Sequence, residues 1–209
     1  MAYSDFDLAT ARDRLGLTLV EGIDLFADTP PAEPGELVTK ILADWVPRAL
    51  AINTEKARSE MIITPILMDV LRQSGGRVSL FSGIPFDVDW ERGLNGPCDY
   101  LLSKSPRRFF VDRPVATVID VTQEDMIGGI GQCAAAMLGA QLFNARHGKD
   151  AGLAVHGAVS SGNVWRFLRL EGLTLTIDRQ EYYLHDVGKI IGILLAVSLG
   201  SPVGLATGT

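Results

Sequence analysis

Val115-Ala116-Thr117-Val118-Ile119-Asp120-Val121 is the densest β-branched run in the chain, and a stretch rich in small residues, Gln123 to Arg146, follows it. The first reads as a strand and the second as a long helix. Upstream, Arg77 to Phe81 and Cys98 to Ser103 are strand candidates. Downstream, Leu153–Val159, Val164–Leu170 and Leu173–Ile177 read as strands, and Val187 to Leu199 as a closing apolar helix. Residues 8–52 read as helical, interrupted by the loop Asp28-Thr-Pro-Pro-Ala-Glu-Pro-Gly35. A second helical region runs from Thr54 to Gln73 and stops at Gly75-Gly76. This order points to an α/β fold, a mixed central sheet flanked by helices. The expected division is a helical N-terminal segment over residues 1–52 packing on a core over 53–200, with a disordered tail over 201–209.

Composition bounds the function. The chain has 209 residues, 47% of them hydrophobic, enough for one domain with a substantial core. The start, MAYSDFDLATARDR, lacks the basic region and apolar run of a signal peptide. The longest apolar run, Ile190 to Leu199, falls short of the ~20 residues a membrane span needs. A cytoplasmic protein without a membrane partner is the expectation. Cys98 and Cys133 have neither metal-ligand nor disulfide spacing, and His147, His156 and His185 form no zinc pattern. A net charge of −6 argues against non-specific coating of nucleic acid. A local basic patch remains open at Lys104-Ser-Pro-Arg107-Arg108-Phe-Phe-Val-Asp-Arg113, although a solvated loop between strands is the simpler reading.

Three carboxylates sit where structure alone does not ask for them. On a helix with about 100° per residue, Ala57, Ile63, Leu67, Met68, Val70 and Leu71 share an apolar face, and Glu60 falls near its middle. A charge facing a core is costly unless paired or bound to a metal. The plain alternative is a Lys56–Glu60 ion pair on a helix turned differently, and Pro65 can kink that helix or start a new one with Thr64 as its cap. Asp99 and Asp120 lie opposite each other if their strands pair antiparallel in the register whose residue numbers sum to 219. Facing carboxylates repel unless a cation or proton lies between them. Three acids from a helix and two adjacent strands make an oxygen-only site suited to Mg²⁺ or Mn²⁺. Such an ion serves phosphodiester hydrolysis.

This arrangement, Glu60 on a helix, Asp99 on one strand and Asp120-Val121-Thr122 on the next, resembles the E…D…(D/E)-x-K pattern of the PD-(D/E)XK nuclease superfamily. Lys56-Ala-Arg-Ser-Glu60, Leu80-Phe-Ser-Gly83, Gly96-Pro-Cys-Asp99-Tyr, Glu124-Asp125 and Gly131-Gln132-Cys-Ala look like a bacterial group assigned to it. The likeness covers roughly residues 50 to 198. It implies a restriction-endonuclease-like fold and a metal held by Asp99 and Asp120, with Glu60 and the Val121 carbonyl completing the site. It also implies that Gln132 supports the site from the following helix, a role that simple helix packing would equally explain. The lysine of the pattern is replaced by Thr122, which brings no positive charge. Losing one such electrostatic stabiliser typically costs ~10²–10³ in rate. Lys56 is the residue that could restore a cation. Thr122-Gln-Glu-Asp125 also fits a capping box opening the long helix.

Other motifs carry less. Gly129-Ile-Gly131-Gln-Cys-Ala134 has dinucleotide-fingerprint spacing, but its glycines fall inside the helix rather than at its start. Gly128, Gly129, Gly131 and Gly139 with Ala134 to Ala136 read instead as a close helix–sheet contact. Three functions remain open: an active metal-dependent nuclease, a nuclease-derived domain that binds nucleic acid without cutting, and a regulatory protein with a relic acid cluster.

Overall fold

The computed structural model describes residues 1–122, 125–146 and 152–200. Gln123 and Glu124 of the expected capping box, His147 and the tail over 201–209 lie outside the described residues. After a 3-10 turn at Tyr3–Asp5 come α1 (Leu8–Leu15), β1 (Thr18–Ile23), α2 (Glu36–Ile52), α3 (Glu55–Arg58), a π turn (Ser59–Ile63) and α4 (Thr64–Gln73). Then follow β2 (Ser79–Pro85), β3 (Pro97–Ser103), β4 (Val115–Val121), α5 (Met126–Ala145), β5 (Val155–Ser160), β6 (Val164–Glu171), β7 (Thr174–Asp178), β8 (Tyr182–Tyr183) and α6 (Val187–Leu199).

The strands form one mixed sheet in the order β1-β7-β6-β5-β4-β3-β2, with β8 paired to β6. β2, β3 and β4 make an antiparallel meander, and α5 carries the chain back so that β5 joins β4 in parallel. β4 is buried at every position, because helices cover both faces of the sheet. One core lies under α1 and α5 and contains Val118, Val159, Leu168 and Met137. The other lies under α2, α4 and α6 and contains Ile119, Ala158, Phe167 and Ile193. Strand alternation explains the division, since adjacent residues of one strand feed opposite cores. The α/β class, a mixed sheet flanked by helices, is therefore the fold, consistent with the restriction-endonuclease-like expectation.

Two expectations need correction. The N-terminal segment is not wholly helical. Gly16, at φ 73°, ends α1 in the left-handed conformation, and Thr18–Ile23 then extends as β1, parallel to β7. Thr18, Val20 and Ile23 supply the β-branched side chains that favour this. Buried Asp178 locks the segment in place, its carboxylate accepting from the backbone N–H groups of Leu25 and Gln180 and from the Tyr182 hydroxyl. Residues 1–52 thus supply an edge strand of the central sheet.

The second correction concerns the helix before β2. It contains the π turn, in which the Thr64 N–H donates to the Ser59 carbonyl. Pro65 has no N–H to continue an α-type ladder, and the wider turn accommodates it. The Thr64 hydroxyl donates to the same carbonyl at 3.0 Å and meets the Tyr100 hydroxyl at 2.8 Å. A π turn holds one residue more than an α turn and rotates the preceding face by about 100°. This rotation turns Glu60 away from the core.

α5 is long and apolar enough to cross a membrane by length and composition. In this fold it is a core helix packed on β4 and β5. The close helix–sheet contact expected from its small residues is present at Gly129, where an added Cβ would lie 2.8 Å from Val159 Cγ1. Gly131 and Gly139 face instead the N-terminal segment, at Asp7 and Tyr3.

Candidate functional site

The register decides where the acids meet. Tyr100 pairs with Ile119, Leu101 with Val118 and Leu102 with Thr117, so each pair sums to 219 as expected. One step beyond lie Asp99 and Asp120. The Val121 N–H donates a 2.7 Å hydrogen bond to Oδ2 of Asp99, so the side chain of β3 caps the end of β4. Asp120 is 6% exposed and stands at the same end of the sheet. Its Oδ1 accepts a 2.6 Å hydrogen bond from the Gln132 side-chain amide on α5. Gly129, one turn earlier on that helix, leaves the space that Oδ2 of Asp120 occupies, since a Cβ there would lie 3.2 Å from it.

The electrostatics are those of an uncompensated acid pair. Burial, then the charge of Asp99, pushes the Asp120 carboxyl well above the usual range, against the hydrogen bond from Gln132. Burial raises Asp99 as well, partly offset by the Val121 N–H. The Cys98 thiol beside them is pushed up to about 12, by burial first and then by the charges of Asp120 and Asp99.

Glu55, at the start of α3, is the acid that acts on this pair from the helical side. Burial and then Asp99 raise its carboxyl, and it contributes in turn to the rise at Asp120. It directly follows the N-cap Thr54, whose hydroxyl accepts from the Ala57 N–H. In sequence it therefore reads as an ordinary first-turn helix acid. Only the approach of this helix end to β3, which is tertiary, distinguishes it.

The remaining expected residues are placed elsewhere. Glu60 forms an exposed 2.7 Å ion pair with Lys56, whose side chain is 81% exposed. Glu60 lines a groove between α2 and α4 with Leu37, Trp45 and Met68. Thr122 does not cap α5 with its side chain. Asp125 is the N-cap, its Oδ1 accepting from the Gly128 N–H at 2.7 Å. The Thr122 hydroxyl donates to the Asp125 carbonyl at 3.2 Å. Asp is as good an N-cap as Thr, and Gly128 admits the carboxylate closely. Val121 is buried, in register with Ser160 on β5.

Among the described residues, no group of three or more His, Cys, Asp or Glu side chains is arranged to hold a metal ion. A three-acid cage is not formed, since Glu60 points away. The pair nevertheless has the donor chemistry of a hard-cation site with few protein ligands. Mg²⁺ commonly takes one or two carboxylates and completes its shell with water and substrate phosphate. Asp99 and Asp120 each spend one oxygen on an orienting donor; burial raises both carboxyls, and at Asp120 the charges of Asp99 and Glu55 add to it. No protein-family model matches the chain, and no curated protein matches it.

Proposed function

We propose that the protein is nuclease-like and acts on phosphodiesters through a Mg²⁺ or Mn²⁺ ion held by Asp99 and Asp120. The observation that carries this reading is the convergence of two half-buried or buried carboxylates at the end of β4, with Gln132 and the Val121 N–H fixing one oxygen of each. When bound, such an ion polarises a phosphoryl oxygen and lowers the pKa of a coordinated water. The chain's part is to keep the two carboxylates oriented, and Glu55 adds negative potential that favours a cation.

A second reading has its own support: a nuclease-fold protein that binds without cutting. The Thr122 hydroxyl is engaged by the Asp125 carbonyl, and Lys56 is engaged by Glu60. Neither residue supplies a positive charge to the pair. Losing one such stabiliser costs roughly 10²–10³ in rate.

Calorimetric titration of Mn²⁺ and Mg²⁺ into the protein and an Asp120→Ala variant, with and without nucleic acid, tests the site. Cleavage of labelled single- and double-stranded DNA and RNA then tests the activity, with Thr122→Lys as the gain-of-function variant. Ion binding lost in Asp120→Ala, together with cleavage, supports the hydrolase. Ion binding without cleavage, even in Thr122→Lys, supports the binding protein. Absence of ion binding under both conditions overturns the site.

A further inference from the structure

The opposite end of the sheet carries a different chemistry. The loop from Ser103 to Val115 joins β3 to β4 at the end away from Asp99 and Asp120. It stands about four strand residues, or ~13 Å, from the acid pair. Its neck is built. The Ser103 hydroxyl donates to the Asp112 carbonyl, and the Ser105 hydroxyl donates to Asp112 Oδ2 at 2.9 Å. The Ser79 hydroxyl donates to the Ser105 carbonyl at 2.7 Å, and the Lys104 N–H to the Pro114 carbonyl at 2.9 Å. Beyond this closed neck the tip projects into solvent.

The tip is basic and aromatic together. Phe109 is fully exposed at 102% and Phe110 is 55% exposed. The Arg107 guanidinium lies 5.7 Å from the Phe110 ring centroid, and Arg108 is exposed beside it. Arg107 and Arg108 are the exposed cations of the tip in a chain whose net charge is −6, with Arg107 also 3.5 Å from Asp112; Lys104 is half-buried, its ammonium beside Gly200. Nη1 of Arg113 is buried without a hydrogen-bond partner among the described residues. With no accessible surface, that atom belongs to the closed neck and not to the exposed tip.

We infer that this loop is a binding site for single-stranded nucleic acid, with Phe109 and Phe110 as base-stacking surfaces and the surrounding arginines as phosphate contacts. Stacking platforms set among cations are how such strands are held without sequence readout. A membrane-inserting surface segregates its apolar face from its basic rim, whereas here Arg107 lies over the ring of Phe110. The inference goes beyond the acid pair and does not require it to be active.

The test is fluorescence anisotropy of labelled oligothymidylate and oligouridylate, in chelator, at about 50 mM and about 200 mM salt. Wild type is expected to bind, more weakly at the higher salt. Phe109→Ala with Phe110→Ala should weaken binding about tenfold or more, the loss expected for removed stacking. Arg107→Glu with Arg108→Glu should abolish it. Chelator keeps the acid pair free of cation, which separates this site from the one at Asp99 and Asp120. All four substitutions lie in the exposed tip, and circular dichroism melting checks that the variants fold. No binding at the lower salt, or binding that both loop variants retain, overturns the inference. So does binding to phosphatidylserine vesicles in place of oligonucleotide.

Discussion

The side-chain amide of Gln132 donates a 2.6 Å hydrogen bond to Oδ1 of Asp120, and no other side chain among the described residues donates to that carboxylate. The bond ties α5 to the end of β4 and holds one face of the acid pair. Gln132→Leu would remove this donor while keeping the side chain's bulk. A hydrogen bond to a charged group contributes roughly 1.5–3 kcal/mol, so a loss of that size is expected on the alkaline side, where the raised carboxyl is ionised. The loss should shrink on acidification, because the raised Asp120 carboxyl takes up a proton in the native state. Denaturant unfolding near pH 8 and near pH 5 reads the difference. An equal loss at both would mean that Gln132 serves packing alone.

Asp120 itself should be a destabilising residue when no cation is present. Its native carboxyl lies well above the ordinary value, by burial and then by the charge of Asp99. The native state therefore binds a proton more readily than the unfolded chain, and this contribution to stability is lost as pH rises through the native value. In chelator at slightly alkaline pH, Asp120→Asn should raise stability by about 1–2 kcal/mol, within the range seen when buried charges are replaced. The gain should vanish at acidic pH. Added Mn²⁺ should stabilise wild type and leave Asp120→Asn unchanged. Thermal melts across pH, with and without the ion, check all three outcomes.

The acid pair could be read from the sequence because it depends on arithmetic between neighbouring strands. Tyr100 opposite Ile119 fixes the same sum that places Asp99 and Asp120 together. Most strands and the long helix were legible for a related reason, since their apolar patterns are local. Glu60 was misplaced because helical periodicity assumes a constant turn, and the π turn at Ser59–Ile63 breaks that assumption. β1 was hidden because its pairing partner, β7, is about 150 residues away in the chain, a separation on which local propensity is silent. Glu55 was invisible for the same reason.

His156 gives a pH dependence of the opposite sign to Asp120. It is half-buried beside Phe26, and its buried Nε2 has no hydrogen-bond partner among the described residues. Burial, then the charges of Arg169 and Lys104, lower its pKa to about 3. The unfolded chain, with a histidine near 6.5, binds the proton first as pH falls. Stability conferred by the neutral ring is thus complete above about pH 6.5 and lost progressively below it. By pH 4.5 the loss attributable to this residue should reach roughly 2–3 kcal/mol. His156→Gln should be flatter than wild type between pH 7 and 4.5 in chemical denaturation. Parallel curves would show that the ring is hydrated or paired in solution.

Gly131 tests the attachment of the N-terminal segment to α5. A Cβ built on it would lie 2.1 Å from the Asp7 carbonyl carbon, 2.4 Å from that carbonyl oxygen and 2.5 Å from the Leu8 nitrogen. These are backbone atoms at the start of α1, where Asp7 caps the helix by accepting from the Thr10 N–H at 2.7 Å. They cannot move aside as the end of a long side chain can. Gly131→Ala must therefore displace α1 or shift α5 on the sheet, and overpacking of this kind costs about 1–3 kcal/mol. Since α5 also carries Gln132 and Gly129, a shift of the helix would loosen the bond to Asp120, whereas displacement of α1 alone would spare it. Hydrogen exchange separates the two. Loss of protection confined to α1 and β1 would mean that the N-terminal segment yields first, with cation binding unchanged. Loss extending to the end of β4, together with weaker Mn²⁺ binding, would mean that the segment buttresses the helix that orients the acid pair.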